Sequence, residues 1–438
     1  MPNSGSSPSR QSPIRTAFAG LIGNILEWFD FAVFGYFSAE IGANFFPGSN
    51  PTAQQLKTFA VFAIGFGTRW IGSLVLGRVG DRIGRRALLT LSIALMGAAT
   101  LAIGLLPTYA SVGLAAPVLL VALRMIQGFS LGGEFTGSMV YTTELASPLT
   151  RGLVSSSTAA GTTLGFILGS GIAALFGHVL SGPEKLSYGW RIPFIASVLL
   201  CVGGWLLRRG LRESDEGEKA AAARPPLWPS LRADWRAMIQ LFGIVAMTNA
   251  AYYLTFTFVV EYRKGHPGPD HPDFQTINTL VLVVVLLSKP LGGWLSDRVG
   301  RRRLMMTLTV IGMAMLYVAF GMMLSGTAAE FAIGQLLLAV PLGTALGLQG
   351  AMAVEIFPLR TRVTSMSLAY SLTLVLSGGI APFVATWLID RGQPMAPVYY
   401  TLGYGVIGLL VMWRMRETNT NRLDVLDDVT ALPSAVVR

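Results

Sequence analysis

Residues 77–86 read GRVGDRIGRR, and residues 293–302 read GWLSDRVGRR. Both follow the order G-x-x-[GS]-D-R-x-G-R-R, and their first residues lie 216 positions apart (293 − 77 = 216) in a chain of 438. Such polar clusters contrast with their surroundings. Hydrophobic residues make up 52% of the chain, charged residues only 13%, and the mean hydropathy is +0.56, more apolar surface than one globular core can hide. A bilayer is the solvent this composition fits. A helix needs about 20 apolar residues to cross the hydrocarbon layer, so the chain has length for about twelve spans joined by short loops.

The two clusters are part of a longer repeat. ELASPLTR (Glu144 to Arg151) is echoed by EIFPLRTR (Glu355 to Arg362), and Leu211-Arg212-Glu213-Ser214 by Met415-Arg416-Glu417-Thr418. Three echoes in the same order predict two parallel six-helix bundles related by pseudo-symmetry. The expected organisation is a tail at 1–15, a first bundle at 16–212, a polar and then proline-rich linker at 213–235, a second bundle at 236–416 and a tail at 417–438. The fold class is therefore an all-α membrane protein of twelve helices. Most of the 33 lysines and arginines fall on the side of the duplicated loops, so the net charge of +10 reflects topology rather than nucleic-acid binding. Both termini are then cytoplasmic, in a multi-pass protein of the cytoplasmic (inner) membrane. The first fifteen residues lack the apolar core of a signal peptide, and the single cysteine, Cys201, excludes an intrachain disulfide.

Within each charged loop, glycines permit a tight turn and the aspartate can face a helix N-terminus. The arginines can pair with Glu144 or Glu355 in a latch that breaks and reforms as the bundles rock. The gating set is Asp81, Arg82, Arg85, Glu134, Glu144, Arg151, Asp297, Arg298, Arg301, Glu355 and Arg362.

These residues carry a resemblance. The duplicated loop resembles the signature loop of the major facilitator superfamily, and LRMIQGFSLGG (Leu123 to Gly133) resembles its fourth-span R-x-x-Q-G motif. GNILEWFDF (Gly23 to Phe31), QGFSLGGEFTG (Gln127 to Gly137) and YGWRIPF (Tyr188 to Phe194) are similar to the metabolite:proton symporter family within it. The likeness runs from about residue 16 to 418. It implies a transporter that functions as a monomer, with a small-molecule substrate such as an organic acid, proline or betaine, no cofactor beyond the proton, and a role for Arg124 in proton coupling. One departure is Arg69-Trp70-Ile71-Gly72, where the family usually has Arg-Pro-x-Gly, so an indole replaces a residue that lacks an amide donor.

Ionisable side chains at bilayer depth are costly and face a partner or a watery cavity. Asn24, Glu27 and Asp30 recur at three-residue spacing and form one inward stripe on the first span. Two carboxyls one turn apart repel when both are ionised, which suits proton handling by Glu27 and Asp30, and the resemblance adds Arg124 to them. Candidate substrate contacts are Asn24, Arg69, Arg124, Gln127, Tyr252, Tyr253 and Lys289. With Arg69, Arg124 and Lys289 counted as available cations, the expected substrate is an organic carboxylate. The alternative is a zwitterionic osmolyte of the proline/betaine kind, with Tyr252, Tyr253 and Phe256 as an aromatic cage. A channel and a non-transporting sensor are further alternatives. Glu40, Glu261 and Asp390 fall at span ends. Enzyme chemistry finds no motif, and HPGPDHPD (266–273) reads as a proline-rich turn rather than a metal site.

Overall fold

The computed structural model describes residues 13–48, 50–83, 85–132, 134–208, 227–266, 273–359 and 361–419. Helices are the only regular elements among them, and they follow one another as twelve passes. In the first half, α1 is Pro13–Tyr36, α2 is Pro51–Gly67 continued after Thr68 as Arg69–Ile83, and α3 is Arg85–Leu105. There follow α4 (Ala115–Ser130, then Glu134–Leu145), α5 (Arg151–Val179) and α6 (Arg191–Arg208). In the second half, α7 is Trp235–Gly265, α8 Phe274–Val299, α9 Arg301–Ser325, α10 Ala328–Glu355, α11 Arg362–Asp390 and α12 Ala396–Trp413.

Nine helices of the described residues are long and apolar enough to cross a membrane, and a bent pair, Gly182–Gly189 with Arg191–Gly203, makes a tenth. The other two passes, α1 and α3, include residues whose side chains lie outside the described set. Large apolar side chains such as Leu114, Leu199, Leu287 and Trp413 are exposed around the perimeter, as lipid contact requires. The charged and polar residues at span depth are buried instead. The expected linker is in part a short helix, Leu227–Ala233, and residues 209–226 lie outside the described set.

Small residues let the helices approach until backbones touch, the main source of helix association where no hydrophobic drive exists. On α5, Gly161, Gly165 and Gly169 line α1. An added Cβ would stand 2.8 Å from the Leu21 carbonyl oxygen, 2.7 Å from that of Ile25 and 2.8 Å from Ala32 Cβ. The α2/α4 contact is tighter, because a Cβ on Gly128 would come within 1.7 Å of the Gly65 carbonyl oxygen. The pseudo-symmetric α8/α10 contact has Gly292 in the same role, 1.9 Å from the Thr344 carbonyl oxygen. Between the halves, α5 packs along α8 and α10 while α2 packs against α11.

Trp70 follows directly on the break at Thr68, and its indole is among the exposed large side chains. Its bulk therefore lies on the outside of α2 rather than in the seam. The break itself is held by Thr68 Oγ1, which lies 3.0 Å from the Met125 carbonyl of α4.

Candidate functional site

The polar stripe on α1 is buried as its spacing predicts, but its three members meet different helices. Asn24 donates to Ser138 Oγ on α4 at 3.2 Å. Glu27 pairs with Arg69 of α2 at 2.5 Å, both side chains no more than 2% exposed. Asp30 takes Arg124 of α4 at 3.0 Å and Gln127 at 2.9 Å, one on each carboxylate oxygen. Gln127 accepts from Arg124 at 2.9 Å and donates onward to Thr100 of α3 at 2.7 Å. Asp30 is thereby tied to α3 and α4 in a closed network. Full burial of a charge pair is tolerable only when such extra hydrogen bonds satisfy it.

Aromatic faces complete both pairs. The Arg124 guanidinium lies 4.2 Å from the Phe34 ring centroid and 4.7 Å from that of Phe31. That of Arg69 lies 5.9 Å from Trp28 and 6.0 Å from Phe135. In a desolvated site these contacts add to the hold on each cation. Gly65 leaves room for the Arg124 head, since a Cβ there would press on Nε at 3.3 Å.

The second half meets this region through rings. Tyr253 of α7 packs 5.7 Å from Phe66 and 5.9 Å from Phe62, Tyr252 packs 5.1 Å from Phe166, and Tyr370 of α11 packs 5.2 Å from Phe135. The Tyr253 hydroxyl, Arg69 Nη2 and Arg124 Nη2 are buried with no hydrogen-bond partner among the described residues. Three unspent donors in a dry region are suited to an incoming acceptor. Trp28, Thr100, Phe135 and Tyr370 were not anticipated from the sequence. The first could have been, since it adjoins Glu27, whereas Thr100 and Tyr370 stand in ordinary apolar spans with nothing local to mark them.

Lys289 departs from expectation. Its ammonium is buried and donates to the Ala159 carbonyl at 2.5 Å and to Thr162 Oγ1 at 3.0 Å, both on α5. It shares none of these partners with Arg124, so the two cations do not converge on one contact as a common anion site would have them do. Arg69 and Arg124 are each matched by an acid. The count of three available cations therefore overstates the positive charge on offer.

On the face of the duplicated loops, the halves grip each other reciprocally. Arg151 of α5 reaches Glu355 of α10 at 3.4 Å, and Arg362 of α11 reaches Glu144 of α4 at 2.5 Å. Asp297 accepts from the Gly152 and Leu153 amides at 2.8 and 3.0 Å, facing the N-terminus of α5 where negative charge is favoured. Arg301 joins Asp297 at 3.0 Å to Glu355 at 2.5 Å. Arg298 is not part of this latch. It is exposed and stacks on Trp294 at 3.9 Å, because one residue beyond Asp297 the helix has turned it outward. Glu417 was noted only as part of an echo. It accepts from the Arg301 and Arg302 amides at 2.7 and 3.0 Å and leaves no space for a side chain at Gly300, whose φ of +105° favours glycine. The side chains of Asp81, Arg82, Arg85 and Glu134 lie outside the described residues.

Comparison with known proteins agrees with this architecture. The profile of the Major Facilitator Superfamily matches residues 20–270 and 241–428. The proline/betaine transporter of Salmonella typhimurium is 33% identical over 416 residues, covering 91% of this chain and 83% of that one. The glycine betaine/proline/ectoine/pipecolic acid transporter OusA of Dickeya dadantii is 32% identical over 421 residues, covering 91% and 82%. Among solved structures, the proton:xylose symporter XylE bound to 6-bromo-6-deoxy-D-glucose superposes with a TM-score of 0.75 at 18% identity, covering 95% of this chain and 98% of that one. The twelve passes, the two facing bundles and these matches together establish that the chain belongs to the Major Facilitator Superfamily and is a membrane transporter rather than an enzyme.

Proposed function

We propose that this protein is a proton-coupled symporter that takes up a small zwitterionic osmolyte of the proline/betaine kind by alternating access. The observation that carries the reading is charge balance. Both arginines of the site are already matched by a carboxylate, Arg69 by Glu27 and Arg124 by Asp30, beside rings contributed by both halves. A di- or tricarboxylate would bring uncompensated negative charge into that region, whereas a zwitterion brings none. The relatives' names support the osmolyte over the organic carboxylate expected from the sequence.

Coupling follows from the same pairs. The substrate carboxylate takes Arg69, using its spare Nη2 and the Tyr253 hydroxyl, and the cationic end lies against Trp28, Phe135 and Tyr370. Glu27 then loses the Arg69 counter-charge in a buried site, which makes its ionised form costlier to hold, and it takes up a proton. Substrate and proton thus bind together because each makes room for the other. Asp30, held on both oxygens, keeps Arg124 in place. The loaded carrier carries no added charge beyond the proton, and a potential of 100 mV supplies about 2.3 kcal/mol per charge, enough for about fifty-fold accumulation. In this reading the duplicated loops and both termini lie in the cytoplasm of an inner membrane, and one chain suffices.

Uptake of radiolabelled betaine and proline into proteoliposomes, with and without an imposed pH gradient, tests the proposal. Accumulation that ignores the gradient removes proton symport, and accumulation of a dicarboxylate in preference to betaine removes the osmolyte. A sensor would bind without exchanging external for internal substrate.

A further inference from the structure

The face opposite the duplicated loops is closed by contacts of a different kind. Tyr36, at the end of α1, donates its hydroxyl to the Phe256 carbonyl of α7 at 2.7 Å and accepts from Asn278 of α8 at 3.1 Å. Ser170 of α5 meets Thr279 of α8 at 2.7 Å. These are neutral hydrogen bonds. Charged groups stand among them: near solvent, His178 of α5 meets Asp273, the residue before α8, at 2.8 Å, and a second pair is centred on a buried acid. Glu261 of α7 is 3% exposed, and its carboxylate holds Lys264 at 2.5 Å. Lys264 in turn donates to the Tyr36 carbonyl of the first half at 3.0 Å, and Ser38 Oγ approaches the other Glu261 oxygen at 3.4 Å. The lysine is 34% exposed, so the buried carboxylate is one side chain away from solvent at that face.

We infer that Glu261 is a second proton-binding site and the latch that closes this face. Ionised, Glu261 positions the Lys264 ammonium on the Tyr36 carbonyl and ties α7 to the end of α1. A proton arriving from solvent on that side binds a Glu261 carboxylate oxygen. Lys264 keeps its own proton, loses its counter-charge and swings to water, and the α1/α7 contact is left with neutral bonds alone. The other charged or titratable groups facing Glu261 are Glu40 on the short helix Ser38–Phe45 and Tyr36. Arg263 is engaged elsewhere, on the Leu324 and Gly326 carbonyls. The proton-rich side of the membrane would thus open its own entrance.

The inference rests on the alternating-access reading, and its test is separable from transport. Gly171 lies in this seam, and an added Cβ would meet only Thr279 Cγ2 at 3.8 Å, so a cysteine fits there. In G171C proteoliposomes, labelling by a membrane-impermeant maleimide is followed from this face, with the chain lacking the new thiol setting the background from Cys201. The rate is expected to rise about tenfold between about pH 8 and about pH 6, a range in which buried carboxylates titrate. E261Q and K264M are each expected to label at the fast rate at both pH values, and the double variant no faster than either. E261D should restore the pH response. The inference is overturned if the parent rate is independent of pH, or if E261Q and K264M both retain the parent's response. If E261Q does not fold, K264M alone decides, because it leaves the carboxylate in place and removes only the bridge. Absence of substrate accumulation would sink the transport reading while leaving this labelling result intact.

Discussion

Arg124 and Gln335 stand at matching places in the two halves, each 20 residues before the glutamate that ends its helix (144 − 124 = 20; 355 − 335 = 20). In the first half, Arg124 holds Asp30 of α1 in a charged network. In the second half, Gln335 donates to the Thr255 carbonyl of α7 at 3.0 Å and to Asn278 of α8 at 2.9 Å, and no charge is involved. Helix α4 is thus tied to α1 by ions and α10 to α7 by amides. The gating arginines show the reverse. Arg151 and Arg362 match each other in chemistry and in target, each gripping the glutamate of the other half. Duplication has kept its symmetry where the two halves grip each other. It has lost it at the depth of Arg124 and Gln335, where one half is tied by ions and the other by neutral amides.

Substitutions can sharpen that contrast. The largest effect is expected for R124L, which leaves Asp30 buried and unpaired and should cost about 3–5 kcal/mol. Its counterpart Q335L should cost only about 1–2 kcal/mol, as for a neutral hydrogen bond. Thermal unfolding in detergent measures both, and equal losses would erase the distinction between the halves. The double variant D30N/R124Q, which converts the first half to second-half chemistry, should recover most of the stability of the parent.

Next in size is E27Q. With no acid to protonate, proton-driven accumulation should fall from about fifty-fold to about unity. Exchange of labelled for unlabelled substrate should persist. Loss of exchange as well would make Glu27 a structural residue.

For the latch, E355Q weakens the partner of both Arg301 and Arg151, whereas among the described residues E144Q weakens the Arg362 contact alone. Thiol labelling from the duplicated-loop face should therefore rise more in E355Q, by about tenfold against about threefold, as losses of about 1.4 and about 0.7 kcal/mol of charge-assisted bonding imply. Equal responses would show that the two gates do not add.

The smallest effect is expected at Tyr370. Y370L should raise KM for betaine by about threefold to tenfold through the lost cation-π face, and raise that for proline less, since a quaternary ammonium depends more on aromatic contact. Uptake kinetics for the two substrates would settle the order.

Much of the architecture was legible in the chain. The stripe of Asn24, Glu27 and Asp30 had to turn inward, because an apolar helix in lipid cannot expose it, and the reciprocal glutamates and arginines were visible as echoes. The anion-rich expectation failed for a reason that no local pattern contains. Arg69 and Lys289 each looked like a cation awaiting a ligand, and their partners, Glu27 and the α5 carbonyl of Ala159, lie 42 and 130 residues away in sequence (69 − 27 = 42; 289 − 159 = 130). Glu261 was noticed only as a residue near a helix end, since its significance depends on Tyr36 and Lys264 meeting across two halves.

Hydropathy, periodicity and repetition are properties of neighbouring residues, and they were enough to dictate twelve helices, two bundles and a pair of charged turns on one side. Which acid meets which base is a matter of where helix axes cross. Those crossings are set by glycine contacts such as Gly128 on Gly65 and Gly161 on Leu21, where a few tenths of an ångström decide whether two backbones can touch. Pairing, and with it the neutral charge of the site, therefore emerged only when the helices were packed.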